Sequence, residues 1–367
     1  MKTFSSIPWE QPDFWGLEEQ YLVEALHSTW ISGGPFVERL ERELATFSGS
    51  PFTLAASNGT TAIHLVYLGM GLQPGDEIVI PGFCYLAAAN IALQMGIKPI
   101  FAEVDPEMFC VTAEAIEAVL TPRTRLIVVV HTYGNVCDMD DIMSLAENRG
   151  VPVLEDAAES FASKYKGRQS GAIAQVGTYS FQATKTITTG EGGMVLTGDE
   201  GLARKMALYR SHGVLGRHFW HELPGHNFRL TNLQAALGCA QLERLDSIIR
   251  ERKRVHQTYK TTLKNGGGVR LQTFRPEVDP VLWAFAVELD PAAFPQGRNR
   301  VIEQLAAAGI ETRNGFYAAS QLPIYPGCPS LPVCERLANN VISLPTFPSL
   351  TDQQINYICE QLVGLRE

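Results

Sequence analysis

A lysine sits in a loop rich in threonine and glycine, Ser180-Phe-Gln-Ala-Thr-Lys185-Thr-Ile-Thr-Thr-Gly-Glu-Gly-Gly-Met-Val-Leu-Thr197, between two short apolar runs. A protonated amine is a poor nucleophile, so a loop that desolvates it and lets backbone approach closely suits Schiff-base chemistry. Exposed lysines with no chemical role are commoner, and the case for Lys185 depends on its company. In Val151-Pro-Val-Leu-Glu-Asp156-Ala-Ala-Glu159-Ser an acid stands just beyond a buried strand, at the edge where open α/β sheets bind ligands. An ionised Asp156 there would keep a facing pyridine nitrogen protonated, and a protonated ring draws electrons from a neighbouring carbanion. A strand-end Asp serves equally as a helix N-cap. Ala55-Ala-Ser57-Asn58-Gly59-Thr60-Thr61-Ala-Ile-His-Leu65 reads as a strand, a tight polar turn and a helix start. Free N–H groups and the positive end of the helix dipole meet at such a turn and make a phosphate seat, with Thr60 as a hydroxyl donor; ordinary capping competes with that reading. In Pro81-Gly-Phe83-Cys84-Tyr85, which follows a strand, either Phe83 or Tyr85 can lie over a planar ring, and core packing competes for Phe83.

These groups need a scaffold that brings distant segments to one edge. Glycine and proline punctuate the first 200 residues, and between them Val/Ile-rich runs alternate with stretches of helical period, the rhythm of an α/β layer. Strands are expected at 53–56, 77–81, 98–103, 126–131, 153–155, 177–181 and 193–197, several of them nearly all apolar, as strands covered on both faces should be. A mostly parallel, helix-flanked sheet follows. One helix is expected over 232–264, about 50 Å long, with the polar run Arg250 to Arg254 as its solvated face, and Asn265-Gly-Gly-Gly breaks it. A strand near 282–289 and helices near 298–308 and 352–362 form a smaller α+β unit. The expected division is therefore a large α/β domain, residues 1–245, joined by the long helix to a C-terminal domain, residues 246–367, on which the N-terminal segment packs.

Composition excludes several classes. The chain has 367 residues, 45% of them hydrophobic, enough for two or three domains with sizeable cores. Thirty Lys+Arg against thirty-nine Asp+Glu leave a net charge of −9, with no basic block, so nucleic acid is not an expected partner. The first eight residues lack the apolar core of a signal peptide, and the strongest apolar run, 126–130, falls far short of the roughly 20 residues of a membrane span. A soluble cytoplasmic protein with no membrane partner is expected. Seven cysteines without a CxxC pair read as reduced core thiols. His218-Phe-Trp-His221 has a ligand-like spacing but no third ligand, so no metal is expected.

Further motifs join these segments: Ser28-Thr-Trp30-Ile-Ser-Gly-Gly-Pro35, Gly75-Asp-Glu-Ile-Val-Ile-Pro81, Val130-His131-Thr-Tyr-Gly134-Asn-Val-Cys-Asp138-Met-Asp140, and Gly225-His-Asn227-Phe-Arg229-Leu-Thr-Asn-Leu-Gln234-Ala-Ala-Leu-Gly238. In this order, over nearly the whole chain, they resemble the sugar aminotransferase family of pyridoxal 5'-phosphate (PLP) enzymes, the DegT/DnrJ/EryC1/StrS family. The resemblance is strongest to its GDP-sugar 4-aminotransferase branch, through Lys185 to Met194, Phe219-Trp-His221 and Leu344-Pro-Thr-Phe-Pro-Ser-Leu350.

The resemblance implies the aspartate-aminotransferase fold (fold type I): a large, mostly parallel sheet domain plus a smaller α+β C-terminal domain. It implies PLP as cofactor, with pyridoxamine 5'-phosphate between two half-reactions. Lys185 becomes the Schiff-base lysine and base, Asp156 the pyridinium partner, Glu159 a contact to the 3-hydroxyl edge, and Tyr85 the stacking ring. Gly59, Thr60 and Ser180 fall at the phosphate, which Asn227 reaches from the neighbouring subunit, and Ser57 is a further cofactor contact. The implied enzyme is thus a homodimer with shared active sites, with a tetramer left open. Trp30, His212, His218, Trp220, His221, Arg229, Arg313 and Tyr317 are the implied substrate contacts. The implied reaction is ping-pong transfer from L-glutamate to a nucleotide-linked 4-keto-6-deoxy sugar, GDP-4-keto-6-deoxymannose favoured, in polysaccharide biosynthesis.

One segment departs from the branch: after Glu311-Thr-Arg313 the chain carries Ser320 about where a histidine is expected. That leaves open another acceptor, a ketosugar aminated at C3 or linked to UDP or dTDP, or a keto-cyclitol. A ketosugar-dehydrating branch replaces the lysine by histidine, so Lys185 argues against it. A non-enzymatic PLP-binding regulator would need a degraded catalytic set.

Overall fold

The computed structural model describes residues 6–263 and 267–367. Fourteen strands follow in chain order: β1 Phe52–Ala56, β2 Glu77–Pro81, β3 Lys98–Ala102, β4 Thr124–Val130, β5 Val153–Asp156, β6 Lys164–Tyr165, β7 Arg168–Gln169, β8 Val176–Ser180, β9 Gly193–Thr197, β10 Val269–Leu271, β11 Val278–Asp279, β12 Phe285–Leu289, β13 Arg313–Asn314 and β14 Val341–Leu344. Seven build the large sheet in the order β1-β9-β8-β5-β4-β2-β3. β2, β3, β4, β5 and β8 pair in parallel, whereas β9 runs antiparallel to both β8 and β1. Every strand but β9 therefore ends at the same edge. That edge gathers the residues that follow Ala56, Pro81, Val130, Asp156 and Ser180, although they are far apart in the chain.

The strands form where the sequence is β-branched and apolar. Leu126 to Val130 in β4 are buried on both faces, each burial contributing about 2 kcal/mol before chain entropy is counted. The expected strands of this sheet are all present, 77–81 and 193–197 unchanged and the others with ends moved by one or two residues. The smaller antiparallel sheet, β10-β12-β14-β13, packs with the helices Arg298–Ala307 and Asp352–Gly364 around Phe285, Val287, Leu305 and Ile358. Ile7 belongs to that same core and bridges Ile310. All seven cysteines are unpaired, six of them buried. No helix among the described residues is long and apolar enough to cross a membrane.

Two expectations fail. The single helix over 232–264 is two helices, Asn232–Glu243 and Leu245–Leu263, and its end at Lys264 and the Asn265-Gly266 part of the breaker lie outside the described residues. At Arg244 (φ −103°, ψ 7°) the chain leaves helical geometry. There the Arg244 N–H bonds back three residues to Gln241, and the guanidinium is drawn aside to the carbonyl of Trp15. The first helix is apolar nearly all round because the helices Glu18–His27 and Pro35–Ser48 cover it, whereas the second presents one buried stripe. Nor is the run Arg250 to Arg254 wholly solvated, since Arg252 is 1% exposed. Its guanidinium donates to the carbonyls of Leu282, Trp283 and Thr346, each at 3.3 Å, and pairs with Glu10 at 3.0 Å. A buried arginine is stable only when paired and hydrogen-bonded in this way.

Candidate active site

At the carboxyl edge of the large sheet a cavity of about 670 Å³ is lined by Gly59, Thr60, Tyr85, Asp156, Glu159, Ser180, Lys185 and Trp283, among others. That volume lies in the range of small-molecule and cofactor sites. One wall is the start of the helix Gly59–Met70. Asn58 and Thr61 form a capping box, in which Asn58 Oδ1 accepts the Thr61 N–H at 2.8 Å and Thr61 Oγ1 accepts the Asn58 N–H at 3.1 Å. The Ala62 N–H bonds to the Asn58 carbonyl. Capping therefore leaves the N–H groups of Gly59 and Thr60 as the donors at the dipole's positive end. A Cβ on residue 59 would come within 2.9 Å of Ser180 Cβ, so glycine lets this helix start sit against the end of β8.

Asp156 closes β5, and its Oδ1 accepts the Ala158 N–H at 3.1 Å. Burial raises its pKa, opposed by that hydrogen bond and by the nearby Lys185 and His131. Glu159 Oε2 accepts the Tyr133 N–H at 2.8 Å, and burial pushes its carboxyl up to about 7 against the pull of Lys185. Tyr133 takes a left-handed conformation (φ 61°) to direct that N–H, a backbone strain of order 1 kcal/mol. The next residue must be glycine: at Gly134 (φ 104°) a Cβ would strike Leu282 Cα at 2.7 Å. Beneath Asp156, the fully buried Glu155 accepts N–H bonds from Gly171, Ile173 and Ala174 and meets His131 Nε2 at 3.0 Å. The Cys137 N–H points at His131 Nδ1, which leaves Nε2 as the N–H that donates to Glu155.

Lys185 reaches into the cavity from the β8–β9 loop. Burial lowers its pKa, and Glu159, Asp156 and Glu10 oppose that shift in this order. Among the described residues no carboxylate oxygen stands within 4 Å of Nζ. The amine lies instead 3.6 Å from the centroid of the Trp283 ring.

Seven of the nine expected cofactor-side residues, Gly59, Thr60, Tyr85, Asp156, Glu159, Ser180 and Lys185, thus share one cavity. Phe83 is buried against Phe109, Tyr133 and Phe316, while Tyr85 is 64% exposed at the cavity wall. Ser57 stands just behind the wall, its Oγ 3.0 Å from Thr61 Oγ1. Arg313 and Tyr317 line a second, adjoining cavity of about 470 Å³ that shares Tyr85 and Trp283 with the first. Asn227, Trp30, His212, His218, Trp220, His221 and Arg229 lie outside both cavities. Asn227 accepts from Arg229 Nε at 3.0 Å, the Trp30 carbonyl holds Asn232, and Arg217 lies over the exposed Trp220 ring. Ser320 points elsewhere too, its hydroxyl donating to Glu335 at 2.7 Å. Trp283 was missed by sequence reasoning; a lone tryptophan ahead of an aliphatic strand was its only signal.

The profile of the DegT/DnrJ/EryC1/StrS aminotransferases matches residues 15–363. The chain belongs to this family. It is 38% identical to a GDP-perosamine synthase of Caulobacter vibrioides over 99% of each chain. A GDP-perosamine synthase of Escherichia coli O157:H7 is 37% identical over 97% of each. Among solved structures, the PLP form of Spr1654 from Streptococcus pneumoniae superposes with a TM-score of 0.93 at 26% identity, over 98% of each chain. The protein is a PLP-dependent sugar aminotransferase, taking an amino donor and a sugar acceptor. The residues on hand fit that cofactor. Two free helix N–H groups and the Thr60 and Ser180 hydroxyls suit a phosphate, Tyr85 offers a ring face, and two buried carboxylates facing one amine leave room for a second positive charge.

Proposed function

We propose that this aminotransferase moves the amino group of L-glutamate to C4 of a nucleotide-linked 4-keto-6-deoxy sugar, GDP-4-keto-6-deoxymannose favoured, by a ping-pong sequence. The observation that carries the reading is the convergence of Lys185, Asp156 and Glu159 on one cavity at the carboxyl edge; the two GDP-perosamine synthases support a GDP-linked acceptor. PLP, when bound, supplies the electron sink that makes the donor's Cα–H acidic. Gly59, Thr60 and Ser180 bind the phosphate, with Ser57 bracing the turn behind them. Asp156 would hold the proton on the ring nitrogen, Glu159 would meet the 3-hydroxyl edge, and Tyr85 would cover one ring face. With the cofactor in place, Lys185 Nζ would take the Cα proton of glutamate and hold it inside the cavity for return. Once 2-oxoglutarate has left and the amino group is held by the cofactor, the same lysine would run the proton transfer in reverse as that group passes to the ketosugar.

Asn227 completes the phosphate site of a neighbouring subunit, so the working unit is a homodimer with shared sites. On the acceptor side the contacts are Arg313 and Tyr317 in the second cavity, together with Trp30, His212, His218, Trp220, His221 and Arg229 across the subunit boundary. Residues 1–245 carry the cofactor and residues 246–367 close over it, in a cytoplasmic enzyme of polysaccharide synthesis. Ser320, committed to Glu335, favours a second reading in which the acceptor is another nucleotide ketosugar or a keto-cyclitol.

The test is the visible spectrum of the PLP-loaded protein before and after L-glutamate, repeated on Lys185→Ala. Loss of a lysine-dependent band with release of 2-oxoglutarate is the expected result. The aminated enzyme is then titrated with GDP-, UDP- and dTDP-linked ketosugars and with a keto-cyclitol. A band that glutamate leaves untouched rejects the donor, and reaction with the keto-cyclitol alone rejects the nucleotide sugar.

A further inference from the structure

The face of the Trp283 indole is turned to Lys185, and several independent contacts hold it there. Trp283 Nε1 donates to the carbonyl of Thr184 at 2.8 Å, which locks the ring plane to the residue just before the lysine. Trp9 meets the ring edge-on at 5.5 Å, and Tyr133 lies nearly parallel to it at 6.3 Å. The Trp283 carbonyl accepts from the buried Arg252. The side chain is only 8% exposed, so its interaction with a cation is little screened. A base that shuttles a proton must be held in one place as amine and as ammonium. A carboxylate in direct contact would hold the ammonium but would also retain its proton. An aromatic face attracts the cation without offering a proton acceptor.

We infer that Trp283 is a positioning residue for Lys185, its indole face keeping Nζ in reach of the reacting carbon between successive proton transfers. The inference rests on the assignment of Lys185 as the base. The charged groups facing Lys185 are Asp156 and Glu159 from the sheet edge and Glu10 from the N-terminal segment, the last paired with Arg252. All three carboxylates favour the ammonium, and burial opposes it. Removing the indole leaves the three carboxylates in place and subtracts a contact that shifts such an equilibrium by roughly 2- to 30-fold.

The experiment is trace acetylation of the cofactor-free protein across pH, with Lys185 read by peptide mass spectrometry in wild type, Trp283→Phe and Trp283→Leu. The pH profile of the glutamate half-reaction is recorded on the loaded forms. The expected result is a fall of about one pH unit, a tenfold change, in the Lys185 titration of Trp283→Leu. The matching limb of the pH–rate profile moves by the same amount, and Trp283→Phe stays within about 0.3 units of wild type although it loses the bond to Thr184. If Trp283→Leu does not fold, Trp283→Met is read in its place. A Lys185 titration unchanged in the aliphatic variant overturns the inference. Turnover by Lys185→Ala overturns the base assignment instead, whatever the titration shows.

Discussion

The two adjoining cavities are built differently. Around Lys185 two carboxylates are buried and fastened at the edge of the large sheet, Asp156 through the Ala158 N–H and Glu159 through the Tyr133 N–H, and Gly59 fits against Ser180. Around Arg313 they are borne on a two-residue strand and the segment after it, with Tyr317 51% and Ile324 52% exposed. A group held by a sheet edge cannot be moved without disturbing the core, whereas a loop side chain can be exchanged at little cost. The difference teaches why transamination is legible in the residues themselves while the acceptor is not.

The comparison makes graded predictions. Lys185→Ala should abolish both half-reactions, by about 10³-fold or more, with an unchanged circular dichroism spectrum and melting temperature; turnover near wild type breaks the scheme at its centre. Asp156→Asn should retain cofactor and slow both half-reactions by about 10²-fold, measured by single-turnover absorbance, and a rate within twofold of wild type contradicts the role of the carboxylate. Arg313→Ala should raise the acceptor KM by about tenfold and leave the glutamate half-reaction alone. An equal effect on both halves would erase the distinction between the cavities. The smallest effect belongs to Glu159. Its carboxyl is raised from 4.5 to about 7, so between those values the unfolded chain has released the proton and the folded chain keeps it. Glu159 therefore makes the cofactor-free protein less stable as pH rises across that window. Glu159→Gln should flatten the decline of melting temperature between about pH 4.5 and 7, and an unchanged slope refutes the raised value.

The strands of the large sheet were readable because burial on both faces leaves an unbroken apolar run, as in Leu126 to Val130. Asp156 and Lys185 stood out through their company, an acid at the end of an apolar run and a lysine in a glycine-rich loop, set among the other motifs of the chain. Other features depend on contacts remote in sequence. Phe83 and Tyr85 are chemically similar and two residues apart, and it is the packing of Phe109 and Tyr133 against Phe83 that determines which is buried. The turn at Arg244 reflects a helix that must leave one set of partners for another. Arg252 reads as a surface cation until the carbonyls of Leu282, Trp283 and Thr346 converge on it. Trp283 is invisible for the same reason, since its meaning lies in an amine almost a hundred residues earlier.

β9 returns along β8, so the lysine loop has both feet on adjacent hydrogen-bonded strands, with Ser180 opposite Gly193 at its base. It behaves as a bracket bolted at two points rather than an arm hinged at one. The amine is then carried by a segment whose two ends are tied to each other as well as to the sheet. Insertions that lengthen the bracket would loosen the amine long before they threatened the sheet.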